Sequence, residues 1–203
     1  MSVLSYNRNL VIGFAIVAIG IAGVLYYNFF STRDINLERA EGIAETYLDS
    51  LNYADIAIGE IMEFEYNHYV VYYEKSTGIG AFEMLIDKES GRIFPEYGPN
   101  MMWNLKYGHS GMMGDPGSMM GGFPQTPSGE VIDEEEALDI AQTFLDEVYS
   151  GSEADDPHPF YGYYTIHTTR DGEIFGMLSV NAYDGSVWYH NWHGAYIRSL
   201  EHH

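Results

Sequence analysis

The chain has 203 residues, 46% hydrophobic and 19% charged, which suits one or two small globular domains. Thirty Asp and Glu against nine Lys and Arg leave a net charge of -21. Nucleic acid and anionic lipid headgroups require a positive footprint, so the composition excludes both as partners of this surface; solubility, or attraction for cations or a basic partner, remains. Cysteine is absent, which excludes disulfides, thiolate metal sites, Fe–S clusters and cysteine nucleophiles.

The first predicted element is a transmembrane anchor within residues 1–33. Residues 10–30, LVIGFAIVAIGIAGVLYYNFF, carry no charge and one strongly polar side chain, Asn28. A helix of about 20 residues matches the ~30 Å hydrocarbon core. A cleaved signal peptide has a shorter apolar run ending in small residues, whereas this one ends in Tyr26, Tyr27, Phe29 and Phe30, which fit an interfacial belt. Arg8 precedes the span and Arg33 follows it, so the charge bias is small. A short head and a long body favour an extracytoplasmic body on a single-pass membrane protein.

Beyond the anchor the chain repeats itself. AEGIAETYLDSL at 40–51 and ALDIAQTFLDEV at 137–148 align without a gap, pairing Ala40 with Ala137, Ile43 with Ile140, Ala44 with Ala141, Tyr47 with Phe144 and Leu48 with Leu145. Apolar residues at i, i+3, i+4, i+7 and i+8 predict two amphipathic helices. Asn36 and Asp133 stand as N-caps, the latter with Glu136 at the capping-box position. Strand-type sequence follows each helix: segments near 69–74, 81–87 and 92–94, punctuated by Gly78 and Gly91, and a second set punctuated by Asp171-Gly172 and Asp184-Gly185. Gly78 aligns with Gly172, Ile86 with Val180, Gly91 with Gly185 and Ile93 with Val187. The expected fold is α+β, a transmembrane helix followed by two repeats of a helix packed on a small antiparallel sheet. The corresponding division is an anchor at 1–33, modules at 34–96 and 132–200, a connector at 97–131 and a tag remnant at 201–203.

Over 36–96 and 133–193 the helix pattern A..IA..YL, followed by MLIDKESGRI in one copy and LSVNAYDGSV in the other, resembles the PepSY family. In that family an apolar strand, a short D..TG turn and a second apolar strand recur; here Ser90 stands where Thr is common, and NAYDGSV departs further. The resemblance implies extracytoplasmic, non-enzymatic modules that bind or inhibit a partner, and it carries no catalytic residues with it.

The connector is rich in glycine and proline. From 95 to 131 it holds eight glycines and five prolines, which resist helix and strand. Within it, residues 100–122 contain six of the ten methionines and His109. Two readings stand. Thioethers with an imidazole suit Cu(I), with Met112, Met113, Met119, Met120 and His109 as the candidate ligands. Alternatively the methionines fill gaps against the domains, as Met101 and Met102 beside Trp103 suggest.

Other constellations are weaker. His190 and His193 lie three apart, so on an extended strand they face opposite ways, and chelation would require a turn at Asn191. The expectation is a surface strand, with His68, His158 and His167 scattered. SEADDPHP at 152–159 reads as an acidic turn lacking EF-hand spacing. Eighteen tyrosines would either present an exposed aromatic contact row or reflect β propensity alone. No nucleophile elbow, HExxH, phosphate loop or dinucleotide fingerprint occurs. The function expected is a non-catalytic binding module or accessory subunit for an unidentified protein partner, with copper handling by the connector as the alternative.

Overall fold

The computed structural model describes residues 34–108 and 131–201, together with four helical positions at 17 and 19–21. The rest of the expected anchor, the copper candidates Met112, Met113, Met119, Met120 and His109, and His202 and His203 lie outside the described residues. Among the described residues no helix is long and apolar enough to cross a membrane. The described residues from Ile35 onward form one compact unit.

Both repeat helices are present. In α1 (Leu37–Leu51) the Asn36 side chain accepts from the Arg39 amide, and Leu37, Ala40 and Ala44 are buried. Strands β1 (Ile56–Phe64), β2 (Asn67–Glu74), β3 (Gly80–Asp87) and β4 (Ile93–Pro95) follow as an antiparallel meander. A single turn, α2 (Pro99–Met102), opens the connector. In α3 (Glu134–Val148) Asp133 accepts from the Glu136 amide, and Ala137, Ala141 and Leu145 are buried. The second meander is β5 (Glu153–Phe160), β6 (Tyr163–Arg170), β7 (Glu173–Asn181) and β8 (Val187–Tyr189), and β9 (Tyr196–Glu201) returns to pair with β1. Small alanines on the inner stripe of each helix let it lie close on its sheet.

The two halves match in detail. Ile35 donates its amide to the Lys88 carbonyl, as Ile132 does to Ala182. Gly91 (φ 70°) lies against Ile35 and Ile43, and Gly185 (φ 69°) against Ile132 and Ile140. The His68 ring bonds the Ile35 carbonyl at 2.6 Å, and at the corresponding place the Tyr164 hydroxyl donates to the Ile132 carbonyl at 3.0 Å.

The expectation of two separate small antiparallel sheets is corrected. One nine-stranded mixed sheet runs β8-β7-β6-β5-β3-β2-β1-β9, with β4 also on β3. The halves join where Gly80 pairs in parallel with Phe160. The 152–159 stretch is therefore largely strand β5, not an acidic turn. Its acids and prolines lack strand periodicity, but a strand paired on one side along most of its length tolerates proline. Between the positions that β5 and β4 pair, Asn104 donates to the Ala81 carbonyl, and Asn100 exchanges hydrogen bonds with both backbone groups of Glu83. The connector thus satisfies the bare stretch of β3 with side-chain amides. Met102 does less there, being 68% exposed rather than packed.

The helix-free faces of the two halves meet. Met62, Phe64, Tyr69, Val71 and Leu85 from the first half pack with Phe160, Tyr163 and Met177 from the second. This covers the face on which an aromatic contact row would stand. Tyr69 and Tyr163 are buried in it, Tyr72 lies under α1 bonded to the Ala44 carbonyl, and the exposed Tyr53, Tyr66 and Tyr97 sit in turns.

Candidate functional site

Polar groups concentrate between the halves in two places, one opening to solvent and one sealed. The open one is a cleft of about 380 Å³ lined by Glu60, Val71, Tyr73, Asp156, His158, Pro159 and Glu201, with Gly59, Gly78 and Gly80. Two β-bulges shape it. The β1–β2 register shifts between Ile58 and Glu60, and the β5–β6 register between Asp155 and Pro157, where Asp156 takes φ 48°. Bulges re-aim side chains, and here Glu60 reaches His167 on β6 while Asp156 reaches His158 and His167. Glu60 and His167 are buried, 3.5 Å apart, while Asp156, 65% exposed, stands 3.0 Å from His158 and 3.5 Å from His167. One ligand atom from each of Glu60, His158 and His167 falls within 4.8 Å of the others. Among the described residues no lysine or arginine lines the cleft.

The sealed site begins at Glu83 on β3, fully buried. Its carboxylate accepts from the hydroxyls of Tyr69, Thr165 (2.7 Å) and Tyr163 (2.7 Å). Burial, reinforced by the nearby charge of Glu96, pushes the Glu83 pKa well above the usual carboxylate range. From Thr165 the bonding continues to Ser179 at 3.1 Å and on to His190 Nε2 at 2.9 Å. His190 Nδ1 approaches Glu96 Oε1 at 3.2 Å but is not aligned for a hydrogen bond. His193 Nε2 meets the same oxygen at 3.0 Å, and Trp192 Nε1 donates to it at 3.3 Å. The other His193 nitrogen, Nδ1, bonds Asn67 Oδ1 at 2.8 Å, and the Asn67 amide donates to the Trp192 carbonyl. Burial opposes charge on Glu96, but the two imidazoles outweigh it and hold this carboxyl at about 2. Burial also draws His193 below the ordinary imidazole value.

Elements explain the convergence. Glu96 directly follows β4, and His190 directly follows β8. The Glu96 amide donates to the Glu83 carbonyl, as the His190 amide does to Met177, so the two residues hold the same place in the two repeats. A turn at Asn191 and Trp192 then brings His193 back onto Glu96. The expectation of a surface strand at 188–193 is thereby overturned: His190 and His193 are buried at 3% and 1% exposure, and they converge. His158 and His167 come together as well, with ring centroids 5.3 Å apart. Extending the Ile93–Val187 alignment by three residues sets Glu96 opposite His190; that was the available signal. Glu60 gave none, because β1 was not foreseen.

No family model matches the chain, and no curated protein matches it. Among solved structures it is similar to the Bacillus megaterium YpeB C-terminal domain, at 13% identity and a TM-score of 0.27. That likeness covers 77% of this chain and 62% of that one, so the chain spans under two thirds of the length of the structure it matches.

Proposed function

We propose that this chain is a membrane-anchored, extracytoplasmic, non-catalytic binding module that receives a cationic segment of a protein partner in the cleft. The observation that carries the reading is the cleft's lining: among the described residues the carboxylates of Glu60 and Asp156 face it with no lysine or arginine in the wall, and Tyr73, Val71 and Pro159 supply apolar surface. A lysine or arginine side chain matches that combination, with its stem on the apolar wall and its head among the carboxylates. The net charge of -21 draws basic partners toward it. The resemblance of both repeats to PepSY modules supports a binding role, and the apolar run at 10–30 supports the anchor. Copper handling through Met112, Met113, Met119, Met120 and His109 is the alternative, resting on their density in the connector.

The test is fluorescence titration of the full chain in detergent with lysine- and arginine-containing peptides. The double variant Glu60→Lys/Asp156→Lys should weaken binding by about tenfold or more, and binding should weaken with added salt. Equal affinity in wild type and variant would overturn the cleft as the site.

A further inference from the structure

The sealed cluster carries an inference independent of the cleft. The outer nitrogen of each imidazole is occupied by a partner. His190 Nε2 lies 2.9 Å from the Ser179 hydroxyl, which leaves Nδ1 as the ring nitrogen facing Glu96 at 3.2 Å. His193 is held in the same way. Asn67 donates its amide to the Trp192 carbonyl, so its oxygen faces His193 Nδ1, which must carry a hydrogen. Nε2 then faces the same carboxylate oxygen at 3.0 Å.

Two imidazole nitrogens thus converge on one carboxylate oxygen in a buried space. Among the described residues, Glu96 Oε2 and His190 Nδ1 have no hydrogen-bond partner. No lysine or arginine takes part in these contacts. Two ring nitrogens at 3.0 and 3.2 Å from one carboxylate oxygen, with the second oxygen unpartnered, form a donor set turned towards a common point.

We propose that Glu96, His190 and His193 form a binding site for one divalent transition-metal ion of the zinc type. Ligands at about 2.0–2.1 Å around a tetrahedral ion stand roughly 3.3 Å from one another, close to the separations already present. One ligand atom from each residue lies within 4.8 Å of the others. Both imidazoles have their outer nitrogen held, by Ser179 and by Asn67, as metal-ligating histidines commonly do. Two imidazoles and a carboxylate make a donor set for zinc rather than for Ca2+ or Cu(I), and they leave a fourth position open. The Trp192 ring, stacked on His190 with centroids 4.8 Å apart, lies beside the centre, so loading is visible in tryptophan emission. Because Glu96 belongs to the first repeat and the histidines to the second, the ion joins the halves.

The experiment uses the full chain with His202→Ala and His203→Ala, so that the terminal histidines contribute nothing. Chelator-stripped protein is titrated with Zn2+ against a chromophoric competitor, and with Co2+ for its visible absorption. The result expected is one ion per chain with Kd below about 1 μM, a four- or five-coordinate Co2+ spectrum, and a raised melting temperature. Glu96→Gln keeps the shape of the side chain and should weaken binding by ~100-fold or more, and Ser179→Ala by about tenfold. Absence of saturable binding in the unsubstituted cluster overturns the proposal, whatever the variants do. So does weak binding of several ions that is equal in wild type and Glu96→Gln, the signature of an acidic surface. Loss of the single ion in Asp156→Asn would place it in the cleft and overturn the proposal equally.

Discussion

The Glu74→Gln substitution tests how the connector is fastened to both halves. Glu74, at the end of β2, is buried, and four side chains converge on it: Lys106 and Tyr107 from the connector, Tyr161 from the turn between β5 and β6, and Thr77. Burial alone would raise its pKa, but these donors, Lys106 foremost, bring it from 4.5 down to about 2. A carboxyl so depressed contributes at most about 3 kcal/mol at neutral pH. Lys106 is half exposed, and solvent screening reduces this to roughly 1–2 kcal/mol. The sign follows from a folded-state value below the unfolded one: the contribution is complete above about pH 5 and is lost as pH falls from 4.5 through 2. Glutamine preserves shape but sets an amide against hydroxyl and ammonium donors. Urea unfolding at pH 7 should show the variant about 1–2 kcal/mol less stable, and the deficit should shrink on acidification from pH 5 to pH 3. Equal stability at pH 7 would refute the reasoning. So would a deficit unchanged at pH 3, which would mean lost packing and not lost charge.

Two further outcomes are expected. Gly80 lies under the Phe160 ring, whose Cζ would stand 2.7 Å from an added Cβ, so Gly80→Ala should cost about 1–3 kcal/mol in a urea titration, and Phe160→Leu should relieve part of it. Asp133→Ala removes the cap of α3 and should cost about 1 kcal/mol, read as a lower melting temperature.

The repeat was legible because it rests on local signals. Caps at Asn36 and Asp133, the alanine stripe, and glycines at 91 and 185 that need φ near 70° all act within a few residues. What joins the halves was not legible. The pairing of Gly80 with Phe160 is one bridge between residues eighty apart, and β5 hides in EADDPHPF because its backbone, not its side chains, is what the sheet uses. The sealed cluster shows the same limit. Treating 188–193 as one extended run sent His190 and His193 to opposite faces, whereas the strand stops at Tyr189 and the chain turns. Asn100 and Asn104 looked like linker residues, yet they occupy backbone positions that no strand reaches.

Glu96 and His190 occupy the same place in their repeats and meet face to face. Were this molecule a pair of identical halves, whichever residue held that place would confront its own copy: two carboxylates repelling, or two imidazoles with no acid between them. Carrying both halves on one polypeptide lets the two copies diverge at that single position. An acid can then oppose a base at the centre of a body whose outer parts still follow the repeat. The duplication is therefore more than a way to enlarge the sheet, since only unlike halves can set complementary chemistry at the place where they meet.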